Sequence, residues 1–203
     1  MLPCKLTLNP IPAAANPCCN QQRRRVLKSE SIVAAQVTVK GNVGEVAPLA
    51  HGRQSLDRSV WYSGWLMTFL ATAEETQGRF ALIEAVARKT NVPPPHIHHR
   101  EEETFYVLEG EMTISVGHRT IKATPGTMVI VPRHTLHSFV IESEQIRMLI
   151  LLTPAGLEEW FKQFSVPAPS MTLPPPADVP YSDIEKMIAE APKFGVEFAA
   201  PKQ

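Results

Sequence analysis

The sequence predicts an all-β domain, built as a sandwich or barrel of short strands. Between residues 61 and 152, short runs rich in β-branched and aromatic residues follow one another. Several of these runs alternate apolar with polar side chains, and turns containing Gly or Pro separate them at regular spacing. Many short strands with regularly spaced turns favour a sandwich or barrel over a repeating βαβ fold.

The first predicted strands form a hairpin. Residues 61–70 make one aromatic-rich apolar run, residues 73–78 a turn, and residues 79–88 the returning strand. Pro125-Gly126 is typical of a type II turn, in which Gly supplies the positive φ. The later strands are predicted at residues 104–109, 112–116, 120–122, 127–131, 138–141 and 146–152.

The pattern changes on both sides of the strand series. Residues 1–35 lack periodicity and predict an N-terminal arm that is poorly structured or swapped, followed by the barrel at residues 36–153. Residues 154–203 are predicted to hold one or two helices and a Pro-rich linker. Apolar spacing indicates one helix over residues 155–164, with Thr153 as N-cap and Pro154 at the first position, and a second over residues 182–191.

Three histidines and a carboxylate in the stretch 93–137 form a predicted metal site. His96 and His98 are two apart, so on a strand both imidazoles face the same side. Glu103 lies at an odd offset from His98, and its participation therefore requires a break in the strand between them. His137 must reach the same point from another strand. Three neutral imidazoles and one carboxylate suit a single divalent first-row transition metal, whether Fe, Mn, Ni, Co, Cu or Zn.

The spacing of these residues resembles two paired motifs of the cupin superfamily. His96, His98, Glu103 and Gly110 fit His-x-His-x₄-Glu-x₆-Gly, while Gly126, Pro132 and His137 fit Gly-x₅-Pro-x-Gly-x₂-His. His134 departs from the second motif because it stands where Gly is usual, and we expect it to adopt a positive φ at some cost in the turn. The resemblance implies a double-stranded β-helix, or jelly roll, with the metal inside the barrel.

Three segments outside the motifs, residues 65–80, 153–161 and 193–201, resemble bacterial single-domain cupins similar to quercetin 2,3-dioxygenase, so the resemblance covers roughly residues 60–201. That resemblance implies an oxygenase acting on a small aromatic or enolic compound. Glu103 would take the proton of the substrate hydroxyl as ligand, general base or both, before O₂ attacks the enolate and the ring opens. It also implies a homodimer. Two alternatives stay open: a non-enzymatic cupin that binds a small molecule or metal, and a cupin isomerase or decarboxylase.

Other residues near the predicted site have expected locations that follow from their position in the sequence. The polar residues His99, Glu101 and Glu102 are expected in a solvated loop, and the alternative is a role as fifth metal ligand or as support for a ligand. His134 is expected in a loop at the barrel mouth, and His118 is expected on the surface. The residues expected to make the dry pocket are Trp65, Phe105, Leu108, Met128 and Phe139.

Composition excludes several function classes. Twenty basic and twenty acidic residues cancel, so no global field attracts nucleic acid or an anionic membrane. The only cysteines, Cys4, Cys18 and Cys19, lie in the predicted arm and indicate no disulfide framework. A reducing, cytoplasmic location is therefore expected, although Arg23-Arg24 resembles part of an export signal. No apolar run is long enough for a membrane span.

Overall fold

The computed structural model describes residues 50–176 and 181–199. The predicted N-terminal arm and its cysteines therefore lie outside the described residues. Among those described, no helix is both long and apolar enough to cross a membrane.

Two antiparallel sheets form the jelly roll that the sequence predicted. The first sheet has seven strands in the order β11-β1-β2-β3-β10-β5-β8, and the second has five in the order β12-β4-β9-β6-β7. The strands, numbered along the chain, are β1 (Ser59–Tyr62), β2 (Trp65–Ala71), β3 (Ala81–Arg88), β4 (His96–His98), β5 (Glu102–Glu109), β6 (Met112–Val116), β7 (Arg119–Ala123), β8 (Met128–Val131), β9 (His137–Ile141), β10 (Gln145–Thr153), β11 (Val166–Pro167) and β12 (Val196–Phe198).

The core lies between the two sheets, and strand alternation fills it. On β3 the residues Ala81, Ile83, Ala85 and Ala87 are all buried, while the residues between them are half-buried. The neighbouring strand β10 repeats this pattern from Ile146 to Leu152, in register with β3. Since side chains on a strand alternate between faces, each of these strands gives one face to the interior.

The aromatic run at 61–70, predicted as one strand, is two strands in the structure. Ser63 and Gly64 both have positive φ and turn the chain back between β1 and β2, so that Tyr62 pairs with Trp65. The single-strand prediction is wrong because Ser63 and Gly64 form a two-residue hairpin turn with positive φ at both positions. Asn or Gly is the usual first residue of such a turn, so Ser63 does not indicate it in the sequence. The predicted turn at 73–78 contains a short helix, α1 (Ala73–Thr76).

The C-terminal helices are α2 (Glu158–Gln163) and α3 (Tyr181–Glu190). The prediction that Thr153 and Pro154 begin the first helix is wrong. Thr153 is the last residue of β10, and the helix begins four residues after Pro154. The chain beyond α2 returns to the sheets, since β11 pairs with β1 and β12 pairs with β4. A 3₁₀ turn, Ala191–Phe194, joins α3 to β12.

Candidate metal centre

Strands β4 and β9 bring three imidazoles to one point inside the barrel. His96 and His98 are buried on the same face of β4, while Ile97 between them is half-buried. His96 pairs directly with His137 across the two strands, and their ring centroids lie 4.2 Å apart. His137 is almost completely buried at 1% exposure.

Glu103 reaches the same point from the opposite sheet. The strand break predicted between His98 and Glu103 is confirmed, because β4 ends at His98 and β5 begins at Glu102 in the other sheet. Within β5, Glu103 shares the inward face with Phe105 and Val107. The odd spacing in the sequence therefore corresponds to a crossing from one sheet to the other.

The potential ligand atoms of His96, His98, Glu103 and His137 all lie within 4.8 Å of one another. Glu103 Oε2 is 3.1 Å from His137 Nε2 and 3.6 Å from His98 Nε2. His96 Nδ1 lies 2.8 Å from the carbonyl of Pro94, and His137 Nδ1 lies 3.1 Å from that of Thr135. Because a carbonyl only accepts, both Nδ1 atoms donate a proton to it, and Nε2 is the nitrogen of each ring that could bind a metal.

His98 shows that the site suits a cation. Both of its ring nitrogens are buried, and neither has a hydrogen-bond partner among the described residues. A buried polar atom without a partner costs about 1–3 kcal/mol, so such atoms call for an explanation. A metal ion held between the three imidazoles and the carboxylate would satisfy a His98 nitrogen, and the donor set fits a first-row divalent ion.

Burial and mutual charge set the protonation of the cluster. Burial lowers the pKa of His96 to about 4, and burial also lowers the pKa of His98. Burial alone would raise the pKa of Glu103, but the adjacent His98 and the hydrogen bond from His137 outweigh it and bring this pKa to about 2. Burial opposes charge on His137 as well, yet the bond to Glu103 prevails and raises its pKa.

A cavity of about 320 Å³ opens onto this cluster. His96, His98 and Glu103 form part of its wall, and the rest is mostly apolar, with no Lys or Arg among the lining residues that the structure describes. The aromatic members of the wall are Tyr62, Trp65, Phe105, Phe139, Trp160, Phe161 and Phe198. Ligand pockets in proteins commonly combine such an apolar wall with a few convergent polar groups.

A model of the cupin domain matches residues 82–153, the part of the chain that carries all four clustered residues. The chain belongs to the cupin superfamily. The resemblance drawn from the two motifs is thereby confirmed at that level.

Two curated relatives were found for this cupin. It is 31% identical over 102 residues to quercetin 2,3-dioxygenase of Bacillus subtilis, a match that covers 50% of this chain and 30% of that protein. The chain thus spans under a third of that relative's length. It is also 31% identical over 91 residues to an uncharacterized protein of Streptomyces coelicolor, covering 45% of this chain and 81% of the relative.

Among solved structures, the chain is similar to the polyketide cyclase RemF of Streptomyces resistomycificus, with 26% identity and a TM-score of 0.45. That similarity covers 53% of this chain and 80% of the other. Ectoine synthase of P. lautus gives 22% identity and a TM-score of 0.47, over 64% of this chain and 96% of that one.

Three of the five predicted pocket residues line the cavity of this cupin. Trp65, Phe105 and Phe139 do so, whereas Leu108 and Met128 do not, and for these two the prediction is wrong. Leu108 follows the buried Val107 and so lies on the outer face of β5, and Met128 is 59% exposed. Both errors concern which face of the strand a residue occupies. Because both faces of these strands carry apolar residues, the residue type alone does not identify the inward face.

The sequence interpretation missed the contribution of the C-terminal segment to the cavity wall. Ile184, Met187 and Ile188 of α3 and Phe198 of β12 line the cavity. The spacing i, i+3, i+4 of the three helical residues was the available signal, since it marks one apolar face that must be covered. Residues from the barrel and from the segment after it therefore share the cavity wall.

Glu101 differs from the expected solvated loop. It is buried at 2% exposure, whereas its neighbour Glu102 is exposed. Burial raises the pKa of the Glu101 carboxyl to about 7, and its Oε2 has no hydrogen-bond partner within the described part of the chain. Glu101 is not one of the four clustered residues.

Proposed function

We propose that this cupin is a metal-dependent oxygenase similar to quercetin 2,3-dioxygenase, acting on a small aromatic or enolic compound. The observation that carries the proposal is the position of His96, His98 and Glu103 in the wall of a cavity whose other members are mainly aromatic and apolar. The similarity to the Bacillus subtilis quercetin 2,3-dioxygenase supports the same reaction class.

The lining of the cavity supports a substrate that is neutral and flat in its part away from the metal. A charged group taken out of water needs a partner of opposite charge, and burying an unpaired charge is costly. Among the described residues, the lining contains no Lys or Arg, while its aromatic rings offer flat apolar faces. A bound metal could pair with one anionic group, and the rest of the lining favours an aromatic body.

His96, His98, Glu103 and His137 would hold one divalent first-row ion. When bound, that ion supplies a Lewis acid that acidifies a substrate hydroxyl and a centre for reaction with O₂. Glu103 would take the hydroxyl proton, because it is the one carboxylate among the described residues that line the cavity. Its lowered pKa keeps it ionised but makes it a weak base, so the step depends on a substrate hydroxyl that the metal has acidified. The apolar wall excludes water, which would otherwise compete with the substrate for the site.

Oxygen uptake tests the proposed reaction. Metal-free protein reconstituted in turn with Fe, Mn, Ni, Co, Cu or Zn is mixed with a panel of flavonols, dihydroxy-aromatics and aliphatic carboxylic acids. We expect O₂ consumption with a flavonol or dihydroxy-aromatic and at least one metal, and at least about a 100-fold loss of rate in Glu103→Gln. If the compounds bind, as measured by quenching of tryptophan fluorescence, yet none consumes O₂ with any metal, the protein is a binding cupin.

Metal content tests the site separately from the reaction. Tag-free wild type, His98→Ala and the surface control His118→Ala are loaded with one metal, dialysed, and analysed by plasma emission. We expect His98→Ala to lose the tightly held equivalent and His118→Ala to keep it. Equal metal in wild type and His98→Ala would contradict the assignment, and circular dichroism of the variant shows whether it has folded.

We also propose that the protein is a homodimer. On the edge strand β8, Met128 and Ile130 are more than half exposed, and Tyr106 of β5, which pairs with Met128, is exposed beside them. An apolar patch on a sheet edge favours association with another chain. Light scattering coupled to size exclusion should give twice the chain mass, and Met128→Lys together with Ile130→Lys should shift it to the monomer.

A further inference from the structure

A second cluster of metal-ligand residue types lies on the surface, separate from the buried centre. It consists of His99, after β4, His134, in the turn between β8 and β9, and Glu197 of β12. His99 Nδ1 is 3.0 Å from His134 Nδ1, and His99 Nε2 is 2.8 Å from Glu197 Oε2. The side chains of His99 and Glu197 are 41% and 64% exposed, so solvent ions reach them.

The hydrogen bonds of this cluster fix which nitrogen of His99 carries its proton. A carboxylate accepts, so in a neutral His99 the proton sits on Nε2, which donates to Glu197, and Nδ1 keeps a lone pair. That lone pair accepts from His134 Nδ1, which must carry a proton. A carboxylate that orients an imidazole through its other nitrogen is the usual support of a metal-binding histidine.

The backbone holds both imidazoles in place. The His99 N–H donates to the carbonyl of Gly195 at 2.8 Å, and the His134 N–H donates to the carbonyl of His98 at 2.8 Å. His134 has a φ of 62°, which costs free energy for a residue other than Gly and directs its ring to this cluster. The positive φ expected from the sequence is thereby confirmed, and the residue that breaks the cupin motif is the one that completes the pair.

We propose that His99 and His134 bind a divalent transition-metal ion such as Zn²⁺ through their two Nδ1 atoms, with Glu197 orienting His99. Two nitrogens bound to one tetrahedral zinc at about 2.0–2.1 Å lie roughly 3.3 Å apart. The observed 3.0 Å separation therefore needs to open only slightly, and the two exposed rings turn so that both lone pairs point to the ion. For Nδ1 to bind the ion, neutral His134 shifts its one ring proton from Nδ1 to Nε2 by exchange with solvent, so no net proton is released. Water fills the remaining positions.

Zinc titration of the full chain tests this proposal. The tag-free protein is treated with iodoacetamide so that Cys4, Cys18 and Cys19 do not compete, and isothermal titration counts the bound Zn²⁺. We expect wild type to bind one more equivalent than His134→Gly. The glycine suits a φ of 62°, so this variant should fold. Glu197→Gln should keep the site with about 10-fold weaker affinity, and the surface control His118→Gly should match wild type.

The two centres are told apart by a second pair of measurements. The additional Zn²⁺ equivalent should persist in His98→Ala, a variant that lacks one predicted ligand of the buried centre. It should be lost in the double variant that combines His98→Ala with His134→Gly. This outcome holds whether or not the buried centre binds metal. If wild type and His134→Gly bind the same number of Zn²⁺ ions, the cluster is only a hydrogen-bonded contact between β12 and the barrel, and the proposal is overturned.

Discussion

Glu103 Oε2 and His137 Nε2 lie 3.1 Å apart inside the barrel, although 34 residues separate them in the chain and they belong to different sheets. Both side chains are nearly completely buried. A buried pair of this kind behaves as one unit, because removing either charge leaves the other without compensation.

In the metal-free protein, Glu103→Gln should lower the pKa of His137. Burial opposes charge on this imidazole, and the hydrogen bond and charge of Glu103 are what raise its pKa in the wild type. Without them we expect the pKa of His137 to fall below its ordinary value of 6.5. Titration of the histidine ring signals by NMR measures this, with His118 as the unchanged reference. A His137 pKa that stays above 6.5 in the variant would show that Glu103 is not its cause.

Metal affinity of the buried centre should rise with pH between about pH 5 and 6.5, with about one proton released for each ion bound. Metal and proton compete for the same nitrogens. His137, whose pKa is raised above its ordinary value of 6.5, still carries a proton in this range, whereas His96, with a pKa of about 4, is already neutral. We therefore expect about a tenfold gain in affinity per pH unit below the pKa of His137 and a plateau above it.

Zn²⁺ competition against a chelating dye, in a His134→Gly background that lacks the surface pair, measures this dependence. A gain of about 100-fold per pH unit over the same range would mean that a second histidine also loses a proton, which contradicts the low pKa of His96 and His98.

Gly110→Ala should destabilise the protein much more than Gly126→Ala. Both glycines have positive φ, so either alanine costs about 1 kcal/mol of backbone strain. A Cβ at Gly110 would lie 2.4 Å from the carbonyl oxygen of Gln145, whereas one at Gly126 meets nothing within 4 Å. Since backbone must move at the first site, we expect a loss of roughly 3 kcal/mol or more there. Urea unfolding of the two variants checks the difference, and equal losses would contradict it.

Glu158→Ala should cost about 2–4 kcal/mol, while Glu159→Ala should cost less than about 0.5 kcal/mol. The fully buried Glu158 accepts one N–H from Ala73 and another from Gly156, both at 2.7 Å. It therefore ties α1 and α2 together, and its loss leaves two backbone donors without a partner. Among the described residues, the side chain of Glu159 pairs with Lys162 alone, and both side chains are exposed. Thermal unfolding of both variants measures the contrast, and similar midpoints would remove the proposed role of Glu158.

Periodicity and turn spacing predicted a sandwich or barrel of short strands, and the resemblance to the cupin motifs narrowed this prediction to the jelly roll. His96 and His98 follow from the period of two along a strand, and the break before Glu103 follows from an odd offset. These rules depend only on the spacing of residues along the chain, so they can be applied to the sequence alone. His134 at positive φ also followed, because the motif expects glycine at that position.

Burial of charged residues and the closing of the cavity were not predictable in the same way. Glu101 and Glu158 belong to a residue type that is rarely buried, and only their tertiary surroundings reverse that preference. The start of α2 was misplaced because Thr-Pro is a helix-start signal that the strand β10 overrides. The contribution of α3 to the cavity wall depends on where the chain packs against the barrel after the Pro-rich segment, and no local sequence pattern determines that position.

The four clustered residues lie within the stretch that matches the cupin domain, while Ile184, Met187, Ile188 and Phe198 of the cavity wall follow after it. The residues that could hold a metal and part of the wall that a bound molecule would contact therefore lie in separate parts of the chain. Substitutions at these four positions could alter the shape of the cavity while the clustered residues stay unchanged. A fragment trimmed to the matching stretch would lack these four residues and also β1 and β2, so its cavity would be open to solvent.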